Sequence, residues 1–403
     1  MTNKKLDTAK QYILLILVTG IFVAVYLILY KVQLQQFITF DQDKAIDPFI
    51  LKMIDNGGMT ETNLLRFCEY NLQNVIIYFL CQVSGNIYVG INIYYIISFF
   101  LISAAMFWYV RKYQISLLNA VFVSVLTAFL PYHINRGEGQ IITSTYFMVP
   151  IFLGIIHETI FQEENEKNKS VYTALMCISP LIDAKLSAMM LILMVILTIH
   201  RCRLQTAKKT AVYMIPMLLL LIILNFMTGV FSSVDVKEGI RLAREEGLRI
   251  MDMLMPMRYH FIGRLSDFRV EYDVTFSASG ESGLNSLGML LTFSFLFGML
   301  CLFFDICKDK RIKWISWIIM FVILISNVRG MNLLFEYFGL HIIYWNRMAI
   351  FILVGSAAIL GILADHLKNM MQKRIGSFMT AVIFAAVGVV AFIELLFRHN
   401  MPM

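Results

Sequence analysis

Apolar runs of near-spanning length recur along the whole chain, at roughly 11–30, 88–110, 116–131, 141–161, 171–182, 186–200, 210–231, 286–305, 314–328, 347–366 and 377–397. A helix perpendicular to a bilayer crosses its hydrocarbon core with ~20 apolar residues. A chain patterned this way predicts a polytopic membrane protein and excludes an ordinary soluble domain. Composition agrees, since 59% of the 403 residues are hydrophobic and 13% aromatic, with a mean hydropathy of +0.72. The expected fold is all-α, a single transmembrane helix bundle over 1–403 with about eleven spans. Several runs fall short of a full crossing and are expected to tilt, extend into the interface or merge in pairs. The first run is long enough to span and has no small-residue cleavage site after it, so it is expected to stay as an anchor.

Lys and Arg set the expected orientation, because they accumulate in the cytoplasmic loops of membrane proteins. Lys4, Lys5 and Lys10 open the chain, and further clusters stand at Arg111–Lys112, Arg201–Arg203–Lys208–Lys209, Lys308–Lys310–Arg311–Lys313 and Lys368–Lys373–Arg374. With the runs counted as above, all of these fall on one side, together with the mixed-charge segment 162–170. The N-terminus is therefore expected to be cytoplasmic. Orientation accounts for the net charge of +7, and no nucleic-acid partner is inferred from it. The first loop, 31–87, the loop around Arg136, the turn at Asp183, the long segment 232–285 and the region from Arg329 to Arg347 are then outside.

These outer stretches hold the candidate chemistry. In Phe40–Gly58, FDQDKAIDPFILKMIDNGG, Asp41, Asp43 and Asp47 accompany apolar residues Ile46, Phe49, Ile50, Met53 and Ile54 at helical spacing. Such a helix would lie on the membrane surface. Its carboxylates are candidates for a general base at the bilayer edge. The plainer reading is a solvated acidic loop, with Asp47 before Pro48 as a helix N-cap. Segment 132–140, YHINRGEGQ, places His133, Arg136 and Glu138 between two apolar runs, where titratable groups are costly unless they bind something; a local Arg136–Glu138 salt bridge is the alternative. Segment 247–268 alternates apolar residues with Arg249, Arg258, His260 and Arg264. It reads as an interfacial helix that meets phosphate groups, of lipid headgroups or of a substrate.

Other motifs are missing from the sequence. Neither GxGxxG nor a Walker sequence occurs, the seven histidines lack metal-ligand spacing, and no zinc site is predicted. No cofactor is firmly indicated, and a divalent cation stays open. The six cysteines and most of the 26 methionines are read as apolar filling.

PYHINRG, GLRIMDMLMPMRYH, ESGLNSLG and WNRMAIF, in that order along the chain, resemble a family of largely uncharacterised bacterial membrane proteins. That family is similar in layout to the GT-C glycosyltransferases, polytopic enzymes that use polyprenyl-phosphate sugars. The resemblance implies an Asp in the first outer loop followed by Lys and a Gly turn, matched here by Asp43, Lys52 and Gly57–Gly58, with Gln42 where a Gly is expected. It implies transfer of a sugar from a polyprenyl-phosphate-linked donor to an extracytoplasmic acceptor, an envelope glycan or lipid. Asp43 would be the base, with Asp47 as its neighbouring alternative, and Arg136, Arg347 and Arg258 the donor-phosphate partners. Asp41, His133, Glu138, Asp183, His260, Glu281 and Arg329 complete the candidate set. Short cytoplasmic loops agree with a donor that arrives through the bilayer. A transporter or flippase of lipid-linked sugars, or a non-catalytic envelope-assembly protein, would share the hydrophobic pattern.

Overall fold

The computed structural model describes residues 2–29, 72–137, 141–161, 168–228, 248, 250–254, 287–327 and 345–397. Its elements are α1 (Thr2–Leu29), α2 (Leu72–Ser84), α3 (Ile87–Arg111), α4 (Leu117–Ala128), α5 (Pro131–Gly137), α6 (Ile141–Ser144), α7 (Met148–Ile156), a π-helical turn (His157–Phe161), α8 (Lys169–Ile182), α9 (Ala184–Arg201), α10 (Leu204–Thr228), α11 (Ile250–Leu254), α12 (Met289–Phe304), α13 (Lys310–Asn327), a 3-10 turn (Trp345–Met348), α14 (Ala349–Ile375) and α15 (Ser377–Phe397). No strand occurs among the described residues. Each apolar run of the sequence is mostly helix over its described part, with breaks at Phe129–Leu130 and Thr145–Phe147. Among the described residues, seven helical stretches are long and apolar enough to cross a membrane, and Leu72–Ser84, Lys169–Ile182, Met289–Phe304 and Ser377–Ala391 are shorter apolar helices. The chain is a helical membrane protein.

Two helices are buried nearly all round. Along α14, Ala349 to Ile359 are fully enclosed, and α3 buries Tyr94, Tyr95, Phe99, Ile102, Met106, Tyr109 and Val110. A helix apolar on every face belongs at the centre of a bundle. By contrast α1, α10 and α15 present Ile16, Leu17, Ile222, Phe226, Val389 and Val390 outward, as helices facing lipid do. Lipid tails are as apolar as leucine, so packing within such a bundle relies on close backbone approach at small residues. At Gly90 an added Cβ would stand 2.5 Å from the Cys81 backbone nitrogen, and at Gly154 one would stand 2.2 Å from the Trp108 ring. The first contact clamps α2 on α3, and the second seats α7 on α3.

The loop expected over 132–140 is helix as far as Gly137. Pro131 starts that short helix, which suits a residue with no N–H and a helical φ, and the break at Phe129–Leu130 leaves carbonyls of α4 exposed inside the bundle. They are covered by side chains: the Tyr146 hydroxyl donates to the Thr127 carbonyl at 2.5 Å, and the Ala128 carbonyl lies 2.7 Å from His133 Nδ1. Irregular backbone at membrane depth survives only where protein satisfies it in this way.

The basic clusters converge on one end of the bundle. Lys112, just past α3, pairs with Glu158 of the π-turn and lies 3.8 Å from the Trp108 ring centroid. Arg311 of α13 donates to the Tyr113 carbonyl at 2.6 Å and to Asp309 at 2.7 Å, while His366 of α14 lies 3.0 Å from the same carboxylate. Asp365 accepts from the Ser116 N–H at 2.7 Å, the Ser116 hydroxyl at 2.6 Å and the Asn119 amide at 2.6 Å, so it caps α4 from another helix. Arg201, at the end of α9, stands over Trp314. Loops 112–116, 202–203 and 305–309 therefore share this basic end, as their charge pattern predicts.

Candidate functional site

Helix length fixes what lies away from the basic end. At a rise of 1.5 Å per residue, Tyr94, Asp183 and Arg347 stand roughly 15–27 Å along their own elements from the basic-end contacts of Lys112, Tyr172 and Asp365. They meet at a comparable height near the opposite end.

Asp183 occupies the turn between α8 and α9. Its backbone is extended (φ −155°, ψ 103°) and its carboxylate accepts from the Leu186 N–H at 2.8 Å, the geometry of a helix N-cap. Burial pushes its carboxyl above the ordinary carboxylate value, and the Leu186 amide, Arg347 and Lys185 offset part of that shift. A carboxyl made hard to ionise by burial, with an arginine facing it, is the kind of group that holds and releases a proton. Arg347, in the 3-10 turn that leads into α14, lies close enough to act on that carboxyl electrostatically. Two elements far apart in sequence thus bring one acidic and one basic side chain to a single place.

The turn bearing Asp183 is also held from α2. Gln73 donates from Nε2 to the Ile182 carbonyl at 3.1 Å and accepts from the Tyr94 hydroxyl at 2.5 Å. Gln73 and Tyr94 are both 2% exposed, so the bond between them is closed to solvent. In a low-dielectric interior such bonds hold geometry firmly, since breaking one strands a buried polar group.

His133 belongs elsewhere. It is 0% exposed, packs against Phe99 with ring centroids 4.3 Å apart, and its Nε2 lies 2.7 Å from Ser98 Oγ. The Ala128 carbonyl can only accept, so Nδ1 carries a hydrogen, while Nε2 shares the single proton of the Ser98 hydroxyl with the Tyr95 carbonyl, 2.6 Å from the same oxygen. Both nitrogens are engaged within the protein, and the expectation of a ring poised to bind is corrected accordingly. Arg136 lies in α5, with its side chain outside the described residues. Asp41, Asp43, Asp47, Lys52, Glu138, Arg258, His260, Glu281 and Arg329 also lie outside the described residues. Of the candidate set, the structure brings together Asp183 and Arg347.

Sequence reasoning missed Gln73 and Tyr94, which carry no charge and match no motif. It also passed over Glu158, although an acid inside IFLGIIHETIF is itself a signal. Glu158 is bonded by Lys112 and by the Tyr172 hydroxyl, and Tyr172 lies 3.2 Å from Lys112 Nζ. No group of three His, Cys, Asp or Glu side chains that could hold a metal occurs among the described residues.

One family model, described as "Domain of unknown function (DUF6311)", matches residues 80–328. The match runs from within α2 past the end of α13, so it contains Asp183 and leaves Gln73 and Arg347 outside. No curated protein and no solved structure matches the chain.

Proposed function

The chain belongs to the DUF6311 family, and we propose that it is a membrane glycosyltransferase of GT-C-like layout. It moves a sugar from a polyprenyl-phosphate-linked donor to an acceptor of the cell envelope. It resides in the bacterial cytoplasmic membrane with the basic end in the cytosol, so that the end carrying Asp183 and Arg347 is extracytoplasmic. The observation that carries this reading is the half-buried Asp183, its carboxyl pushed up by desolvation and acted on electrostatically by Arg347, at the end opposite the basic clusters. Transfer from a lipid phosphate needs a carboxylate to take the acceptor proton and cations to stabilise the departing phosphate. Arg347, with Arg136 and Arg258, serves the phosphate. Asp43 is the proposed base, Asp47 the helix cap beside it, and Asp183 the alternative proton acceptor.

The reading is tested with purified protein in lipid nanodiscs, radiolabelled polyprenyl-phosphate sugars and envelope acceptors. Wild type transfers sugar, and Asp43→Asn is folded and nearly inactive, whereas Asp47→Asn is active. A general base typically contributes ~10²–10⁴-fold in rate. Wild-type turnover in Asp43→Asn removes it from the base role, and loss in Asp183→Asn alone moves that role to Asp183.

A transporter of lipid-linked sugars is the second reading, favoured by the break between α4 and α5, since discontinuous helices line transporter sites. Against it, the carbonyls freed at this break are covered by Tyr146 and His133 and not left open to a cavity. Transport of a lipid-linked sugar in proteoliposomes with no transfer to acceptor would favour this second reading.

A further inference from the structure

At the basic end α9 finishes on His200 and Arg201, beside α13. The Arg201 guanidinium carbon lies 5.0 Å from the centre of the Trp314 ring, and Phe161 of the π-helical turn stacks on that ring with centroids 4.3 Å apart. One turn further along α13, the Trp317 ring stands 4.8 Å from His200 and stacks on Phe321 at 5.6 Å. His200 is itself 5.1 Å from Phe321. Trp317, Phe321 and Leu324 follow at helical spacing on one face of α13, and the two tryptophans and Phe321 are half-buried. His200 and Leu324 are exposed, as are Val195 and Ile199 of α9. Lys313 and Arg311 of α13 pair with Asp305 and Asp309, so the cation over this aromatic tier comes from α9. Segment 201–209 continues with Arg203, Lys208 and Lys209 and contains no acid.

Cations at the helix end, then an aromatic tier, then an exposed apolar stripe match a phospholipid along its length. Tryptophan settles at the level of the headgroups, and basic clusters beside membrane helices attract anionic lipids. Stacking on an aromatic face fixes the plane of a guanidinium, whose N–H fork suits phosphate oxygens. A cation at a helix C-terminus also complements the helix dipole, but that role asks for no ring beneath it. We propose that the edge between the end of α9 and the flank of α13 binds one anionic glycerophospholipid. Its phosphate accepts from Arg201, its glycerol lies against Trp314 and Trp317, and an acyl chain follows Phe321 and Leu324. Charge selects the occupant: a zwitterionic lipid gains the same apolar contact but brings a cation of its own beside Arg201. Bound lipid joins α9 to α13 at the surface of the bilayer. The site is independent of the transfer reaction proposed above.

The test uses full-length protein in phosphatidylcholine vesicles that carry a small, equal share of acyl-brominated phosphatidylglycerol or acyl-brominated phosphatidylcholine. Bromine quenches a tryptophan that it touches, and titration of each brominated lipid gives their relative affinity. The expected result is a clear preference for phosphatidylglycerol in wild type. The preference disappears when Trp314 and Trp317 are both replaced by Phe, which leaves Trp108 and Trp345 as reporters. Arg201→Gln lowers it about tenfold, the effect of removing one hydrogen bond to a charged group. Arg374→Gln, an exposed arginine in the last turn of α14, keeps it. Equal quenching of wild type by the two lipids marks ordinary lipid contact and overturns the proposal. So does a preference that persists without Trp314 and Trp317, or that falls equally in Arg374→Gln. Abolition by inorganic phosphate at matched ionic strength also overturns it, as the mark of a site for the free anion. The wild-type comparison decides even where a variant fails to fold.

Discussion

Gln73 donates its side-chain amide to the carbonyl of Ile182 at 3.1 Å, across 109 residues of sequence. It thereby ties α2 to the residue that precedes Asp183. The Tyr94 hydroxyl, 2.5 Å from Gln73 Oε1, completes the link from the central helix. Replacing Gln73 by Leu leaves the Ile182 carbonyl without this donor and the Tyr94 hydroxyl without its acceptor. The expected loss is ~1–3 kcal/mol for each buried group left unsatisfied. Thermal unfolding in detergent should show Gln73→Leu well below wild type and Tyr94→Phe between the two. Equal melting of Gln73→Leu and wild type contradicts the link.

Asp183 has two separable roles. Asn caps helices as well as Asp does, whereas Ala does not, and loss of a cap costs ~0.5–2 kcal/mol. Asp183→Asn should melt like wild type and Asp183→Ala should melt lower. If Asp183 holds a proton in the reaction, Asp183→Asn also loses sugar transfer, and its remaining activity lacks the acid limb of the wild-type pH profile. A stable Asp183→Asn with unchanged activity and profile leaves Asp183 as a cap alone.

Lys112 and Glu158 form an ion pair whose side chains are 11% and 10% exposed. Removing one partner of a buried pair typically costs ~3–5 kcal/mol, because the other charge stays enclosed without compensation. Lys112→Met should therefore destabilise strongly, and the double variant Lys112→Met, Glu158→Gln should recover much of the loss. A double-mutant cycle on unfolding measures this directly. Strictly additive losses contradict a coupled pair.

Acid should loosen the basic end through Asp309. Burial acts to raise its carboxyl, but hydrogen bonds from the Arg311 and His366 side chains and the Arg311 amide outweigh it and hold the group at about 2. A carboxyl held below its unfolded value of ~3.9 contributes stability above that pH. The contribution is lost as the pH falls through about 2. Melting temperature should decline over that window in wild type, and Asp309→Asn should lack this part of the decline. Parallel curves for the two proteins contradict the assignment.

What the sequence reveals and what it hides follow from the range of the forces involved. Apolar runs show the helices because burial and lipid contact depend on local composition, and the clusters at Arg111–Lys112 and Lys308–Lys313 show which helix ends lie together. Asp183 is legible as a single acid between two apolar runs. By contrast α2, read as part of the outer loop 31–87, is a 13-residue helix that carries Gln73, Asn74 and Gln82 and is too short for a spanning signal. His133 reads as an edge residue from PYHINRG alone; its burial depends on Ser98, which no local pattern brings near.

Arg347 beside Asp183 is proposed to hold the donor phosphate, and binding of a fluorescent polyprenyl phosphate to protein in nanodiscs measures this. Loss of one hydrogen bond to a charged group removes ~1.5 kcal/mol or more, about tenfold in affinity. Arg347→Gln should bind at least about tenfold more weakly than wild type while melting normally, and Lys313→Gln, at the basic end, should bind as wild type does. Unchanged binding by Arg347→Gln, or equal weakening by Lys313→Gln, would contradict a donor site at the Asp183 end of the bundle.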